Sequence, residues 1–188
     1  MRWALAMGAM AISVGTVLAS ATAAQAASPV ALADGVTAAY DGQMINLRDG
    51  WSGAQSCISF SSTDVRCYTT AAEADAVLGY TAASDPLVQR ALAAGQSLAA
   101  VPDCASGWVC LWEAINGGGR RLIFQDDYWQ DLGDYGFANV MSSWRNNQSS
   151  GDYAYVADDA VGTLSLAAGD YTANVGTTWN DIADSVEG

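Results

Sequence analysis

The chain has 188 residues, with 20 acidic residues against 7 basic ones, all arginine, no lysine or histidine, and a formal net charge of −13. A field of that sign repels nucleic acid and anionic membranes and favours hard cations and basic protein surfaces. Without histidine or lysine, Ser-His-Asp, Cys-His, Ser-Lys and Schiff-base chemistries are closed; the paired acids Asp126-Asp127 and Asp158-Asp159 read as solvated turn charge, so no enzyme is expected.

Residues 1–26, MRWALAMGAMAISVGTVLASATAAQA, place one arginine before a long uncharged apolar run that ends in the small-residue site Ala24-Gln25-Ala26. That is the layout of a secretory signal peptide cleaved after Ala26, and it predicts a secreted, extracellular protein with no membrane partner after cleavage. A retained transmembrane anchor is the competing reading, disfavoured because the run ends at a cleavage site and not at a basic stop.

Residues 27–95 read as a small α+β segment. MINL, SCISF and VRCY have strand composition, and SSTD between the last two is a turn, so Cys57 and Cys67 fall on opposite arms of a hairpin. Thr70 and Glu73 have capping-box spacing ahead of a helix that Gly79 would stop. A second helix is predicted from Asp85-Pro86 to Gly95, with proline at its first position. Residues 96–103 are expected to be a linker. The four cysteines, 57, 67, 104 and 110, form two close pairs. Locality favours the disulfides Cys57–Cys67 and Cys104–Cys110; a zinc site is the alternative, but neither pair has C-x-x-C spacing and no histidine exists to join it.

Residues 104–188 change in texture. Five of the seven tryptophans lie here among short apolar runs and frequent turn residues, the pattern of an all-β sandwich. The stretch also repeats itself at an offset of 42 or 43 residues: Trp112 matches Tyr155, Leu122-x-Phe124 matches Leu164-x-Leu166, Leu132-Gly133 matches Val175-Gly176, and the run 137–143 matches 179–185. Two such units are too few for a solenoid and predict two similar four-strand motifs packed as a pseudo-symmetric sandwich. CLWEAINGGGRR, residues 110–121, lacks the Gly-Lys-Ser/Thr ending of a phosphate loop and is flanked by strand residues, so its glycines are read as a folded-over β-hairpin needing positive φ.

The run CASGWVCLWEAINGGGRRLIFQDDYWQDLGDYGFANVMSSWRN resembles a Greek-key motif of the βγ-crystallin superfamily. It is most similar to secreted actinobacterial peptidase inhibitors of the Streptomyces metalloproteinase inhibitor type. The shared elements are the C-x5-C opening at Cys104 and Cys110, Trp112-Glu113, the Gly-Gly-Arg-Arg turn, YWQDLGDYGF and Ser-Ser-Trp. The resemblance implies a βγ-crystallin-like double Greek-key domain over 104–188 and a function in binding and inhibiting extracellular peptidases. A monomer is expected. The chain departs from the pattern at Gly117, where the family carries an aromatic residue and where a loosened hairpin is expected, and it has no cysteine pair after Cys110.

Calcium is the candidate cofactor. Calcium-binding βγ-crystallin domains resemble one another in a motif Asn/Asp-Asn/Asp-x-x-Ser/Thr-Ser, which reads Ala138-Asn139-Val-Met-Ser142-Ser143 and Asn180-Asp181-Ile-Ala-Asp184-Ser185 here. The resemblance implies Asp181, Asp184 and Ser142 as side-chain donors, supported by Asn139, Asn180 and loop carbonyls near Glu113. The alternative is that these residues only satisfy the backbone of turns. An inhibitory loop needs an exposed, rigid segment, and the candidate is Asn146, Asn147, Gln148, Ser149 and Ser150, between the repeats; its alternative is a polar linker. Trp108, Trp112, Trp129, Tyr135, Trp144 and Trp179 are read as core and corner residues, with a carbohydrate-binding face as the less favoured use.

Overall fold

The structure, a computed structural model, describes residues 35–97 and 101–188, so the expected signal peptide lies outside the described residues. The strands of the first stretch are β1 (Thr37–Tyr40), β2 (Gln43–Asn46), β3 (Ser56–Ser61) and β4 (Asp64–Tyr68), followed by helices α1 (Ala71–Leu78) and α2 (Pro86–Ala93). The second stretch holds β5 (Val109–Ala114), β6 (Gly118–Phe124), β7 (Gln130–Asp131), β8 (Ser143–Asn146), β9 (Tyr153–Asp158), β10 (Gly162–Ala167), β11 (Tyr171–Thr172), the one-turn α3 (Gly176–Trp179) and β12 (Ser185–Glu187).

The two repeats interlock. One sheet contains the run β11-β8-β5-β6 and the other is β10-β9-β12-β7, so each repeat gives three strands to one sheet and its short third strand to the other. This exchange is the double Greek key expected of a βγ-crystallin-like domain. The pseudo-twofold relation is visible in matched hydrogen bonds: Leu132 N to Asp184 O (2.8 Å) mirrors Val175 N to Ser142 O (3.0 Å), and Ser142 N to Trp112 O (2.8 Å) mirrors Asp184 N to Ala157 O (3.0 Å). The last pair corrects one correspondence. Trp112 is equivalent to Ala157 and not to Tyr155, since Trp112 pairs with Ser143 and Ala157 with Ser185. A two-residue slip preserves which face each side chain occupies, so alternation alone cannot detect it.

The stretches that differ in sequence texture share one sheet. Strand β3 lies parallel to β6, pairing Ser56 with Arg121, Cys57 with Leu122 and Ile58 with Ile123, and the large sheet continues through β4, β1 and β2. Between the sheets Leu111, Leu122, Phe124, Val156, Leu166 and Val186 pack with Leu47, Trp51 and Ala38 in one buried core. The opposite face of the large sheet buries Ile58, Ile123, Trp112 and the Cys104–Cys110 bridge against Ala74 of α1.

Local chemistry explains the helices. Thr70 accepts from Glu73 N while Glu73 reaches back to Thr70 N, closing the capping box, and Gly79 ends α1 in the left-handed conformation. Asp85 caps α2 by accepting from Leu87 N and Val88 N, with Pro86 at the first helical position. Helices α1 and α2 are each pinned to the sheet by a buried arginine. Arg121 on β6 binds Asp75 of α1 at 2.8 Å and donates to Ser56 Oγ, Asp103 O and Ala71 O. Arg145 on β8 holds Asp85 through two N–H groups at 2.7 and 3.0 Å. Burial opposes ionisation of Asp85, but the bonds from Arg145, with those from Tyr80 and Leu87 N, outweigh it and keep its carboxyl below the usual range. For Asp75 burial dominates over Arg121, and its carboxyl is pushed up.

Candidate functional site

The disulfides are Cys57–Cys67, between directly opposed residues of β3 and β4, and Cys104–Cys110; all four cysteines are bridged, which removes the zinc alternative. The second bridge closes the loop that enters β5, and the first braces the hairpin that covers β6.

The glycine-rich hairpin between β5 and β6 is tight. Asn116 and Gly117 turn the chain at φ of 58° and 69°, Asn116 N donates to Ala173 O at 2.7 Å, and Gly117 N donates to Ser143 Oγ at 3.1 Å. A Cβ on Gly117 would lie 3.0 Å from Pro102 Cβ, so the proline stands against the turn, at the wall of a hollow of about 320 Å³ that Trp112 and Arg121 also line. The turn itself is held by the bonds of Asn116 N and Gly117 N, while the space beside Trp112 that an aromatic ring would fill is open. Glu113 at the other side of the turn is bound by Arg120 N and by Nε of its side chain, at 3.2 and 3.0 Å. These bonds, against a smaller cost of burial, hold the Glu113 carboxyl below its usual range. The Arg120 guanidinium lies over Trp51 (4.8 Å) and Phe137 (5.7 Å), which ties the N-terminal stretch to this hairpin.

The expected calcium ligands fall on the two sides of the pseudo-twofold axis. Asn139 and Asp181 occupy equivalent left-handed positions, φ 57° and 59°, and each donates its N–H across the axis, to Ala183 O and Met141 O. On one side Ser142 Oγ donates to Glu113 O at 2.9 Å and lies 3.5 Å from Asp181 Oδ1, while Asn180 donates to Asp181 Oδ2 at 2.6 Å. Glu113 O, Ser142 and Asp181 are thus brought together. Asn139, exposed, and Asp184, half-buried, belong to the opposite side. Among the described residues no three carboxylates or thiols gather into a metal-binding cluster.

The loop 146–150 divides into an anchored part and an exposed part. Asn146 is fully buried and donates to Leu166 O at 2.7 Å, and its carbonyl side accepts from Gln148 N; Asn147 donates to Cys104 O at 2.8 Å. Asn146 therefore shapes the loop and does not reach its surface, a burial that a polar Asn-Asn-Gln run conceals. Ser149 and Ser150 are exposed, together with Gly151 and Asp152.

Of the aromatic set, Trp112, Tyr135 and Trp144 are buried, as core residues should be, and Trp108 and Trp179 are half-buried. Trp129 differs: it is 47% exposed and touches Tyr155, which stacks beside Tyr153. In the sequence Tyr155 stands out only as the repeat's match to Trp112, and Tyr153 not at all. Their i, i+2 spacing around buried Ala154, with buried Val156 next, is the signal that both rings face away from the core.

Three comparisons bear on relationship. No curated protein matches the chain. Among solved structures, a chain described under the evolution of the eye lens βγ-crystallin domain fold is 20% identical, over 45% of this chain and 86% of its own, with a TM-score of 0.38. A βγ-crystallin from Ciona intestinalis is 26% identical over 43% of this chain and 98% of its own, at 0.35, and a double mutant of a βγ-crystallin domain from Clostridium beijerinckii is 26% identical over 43% and 93%, at 0.35. The model of peptidase inhibitor family I36, a family of inhibitors and not of enzymes, matches residues 98–166, which run from the segment before Cys104 through strand β10 and carry that family's sequence signature.

Proposed function

We propose that the chain is a secreted peptidase inhibitor that binds extracellular peptidases through a braced loop, without catalysis. The match of residues 98–166 to an inhibitor family carries this reading. The structure supports it in physical terms. An inhibitor that is not itself consumed needs a loop whose ordering cost has been met before binding, and here buried Asn146 and the Asn147 bond to the disulfide loop hold the base of Ser149-Ser150. Two disulfides also suit an oxidising compartment. The test is a panel of thermolysin-like, subtilisin-like and trypsin-like peptidases with the chain at micromolar concentration. Inhibition of one of them, weakened by Ser149→Arg with Ser150→Arg, is expected; inhibition of none removes the proposal.

One observation favours a second, compatible reading, calcium as a stabilising cofactor. Glu113 O, Ser142 Oγ and Asp181 Oδ1 converge from two repeats, giving three of the six to eight oxygens that calcium takes. They fit the ion in kind, being hard oxygen donors, and Asn180 would orient the Asp181 carboxylate. The ion would act as a cross-link between the repeats. Titration calorimetry on decalcified protein, with melting curves in millimolar calcium, should show heat and a raised midpoint that Asp181→Ala abolishes; neither heat nor shift rejects calcium.

A further inference from the structure

A cavity of about 230 Å³ lies beside β7, with Ser62, Tyr128, Trp129, Gln130, Asp131 and Asp134 among its walls. It is too small for a drug-sized ligand, whose pockets run to about 300–1,000 Å³, and suits a single ring. Two features set it apart from the other hollows of the surface. Gln130 is only 7% exposed, its carbonyl oxygen accepts from the Tyr135 hydroxyl, and its amide nitrogen has no hydrogen-bond partner among the described residues. Buried donors normally have partners, so this one calls for an acceptor. The second feature is that the cavity wall continues into a row of exposed rings. Trp129 and Tyr155 lie with centroids 6.4 Å apart at 41°, Tyr155 and Tyr153 at 6.4 Å and 25°, and Tyr153 is 55% exposed. The strand registers flank Tyr155 with Ser165 on β10 and Glu187 on β12, which adds a hydroxyl and a carboxylate to the row.

We propose that the cavity and the ring row bind a neutral saccharide chain, with one sugar ring in the cavity and the next ones lying over Trp129, Tyr155 and Tyr153. The donor and acceptor types select the class. Asp131 and Glu187 accept hydrogen bonds only, Asp134 already accepts from the Arg48 guanidinium, and the Gln130 amide nitrogen donates only. An ammonium or guanidinium could serve the carboxylates but not the amide nitrogen, and an anion could serve the nitrogen but would meet the acidic wall. A hydroxyl donates and accepts at once, and a sugar carries several of them around a C–H face that packs on an aromatic ring. Nucleic acid offers rings that stack, but its phosphates face a chain with net charge −13.

The test is titration calorimetry of the chain with neutral hexasaccharides of β-1,4-linked glucose, N-acetylglucosamine, xylose and mannose, with tryptophan fluorescence as a second readout. At least one is expected to bind with a sub-millimolar Kd and to quench emission. Trp129→Ala and Tyr155→Ala, both on the surface row, should each weaken that binding at least tenfold, with unchanged unfolding midpoints. Met44→Ala, at the far edge of the other sheet, should leave it unchanged. The proposal is overturned if no neutral hexasaccharide binds at millimolar concentration, if binding survives Trp129→Ala, or if only charged sugars such as chitosan oligomers bind. Loss of peptidase inhibition in Trp129→Ala without any sugar binding would also overturn it, by making the row a protein contact.

Discussion

Replacing Asp85 by Asn isolates the junction between helix α2 and the sheet. In the folded chain the Arg145 side chain is 0% and the Asp85 side chain 1% exposed, and two N–H groups meet two carboxylate oxygens at 2.7 and 3.0 Å. The same carboxylate accepts from Leu87 N and from the Tyr80 hydroxyl, at 2.9 and 3.0 Å. An asparagine can keep the cap and one bond to Arg145, but it leaves a guanidinium buried without a counter-charge. Breaking a buried pair on one side costs roughly 3–5 kcal/mol. At about 2–4 °C per kcal/mol for a chain of this size, the melting temperature should fall by ~10 °C. Urea unfolding at pH 7, followed by tryptophan emission, measures the change directly. Asp64→Asn, which breaks an exposed pair with Arg66, is the control and should move the midpoint little. A loss below about 1 kcal/mol in Asp85→Asn would refute the reasoning, because it would mean that water reaches the guanidinium when the charge is removed.

Gly136→Ala should destabilise by about 2 kcal/mol or more, because φ is 59° there and a Cβ would collide with the Leu47 carbonyl oxygen; urea midpoints decide it, and an unchanged value would show that the 47–49 turn moves aside. Gly117→Tyr should cost about 1–3 kcal/mol, because φ is 69° there and a Cβ would press on Pro102, and replacing Pro102 by glycine as well should recover only the contact part of that cost. The double change Cys57→Ser with Cys67→Ser should lower stability by about 2–3 kcal/mol in equilibrium unfolding. Acid should weaken the fold through Asp85 and Glu113, whose folded-state pKa values are depressed: their contribution is complete above the unfolded value of about 4 and is lost as pH falls through the folded values. Asp75, raised by burial, acts with the opposite sign, so Asp75→Asn should steepen the acid loss seen in urea midpoints between pH 5 and pH 3.

Features governed by neighbours in the chain were legible in the sequence. The capping box at Thr70 and Glu73, the Asp85-Pro86 start and the paired cysteines are all short-range chemistry, and each lies in the structure where its spacing placed it. The repeat was legible too, because strands with the same burial leave the same alternation. What alternation cannot carry is the identity of a strand's neighbour. Nothing in SCISF names β6 as its partner, and nothing in Arg120-Arg121 tells that one guanidinium stacks on Trp51 while the next is buried under α1. The same holds for the candidate site. The residues at the repeat interface could be named from their motif, but whether Ser142 meets Asp181, or whether Asn146 faces inward, is decided by packing across the sheets. Trp129 was counted with the core because composition does not distinguish a ring that fills a sandwich from one that lies on its outer face.

The parallel join of β3 to β6 also bears on the order in which the chain can fold. Ser56 and Arg121 are separated by 65 positions, so their contact requires a long loop to close before any ladder bond rewards it. The ladder they share is completed only when β6, which ends at Phe124, is available, and β6 in turn is registered by β5. The N-terminal hairpin therefore has its disulfide early and its place in the sheet late. Pulsed hydrogen exchange during refolding should show amides of β5 and β6 protected ahead of the β3 amides that face β6, so that this chain assembles in the direction opposite to its synthesis.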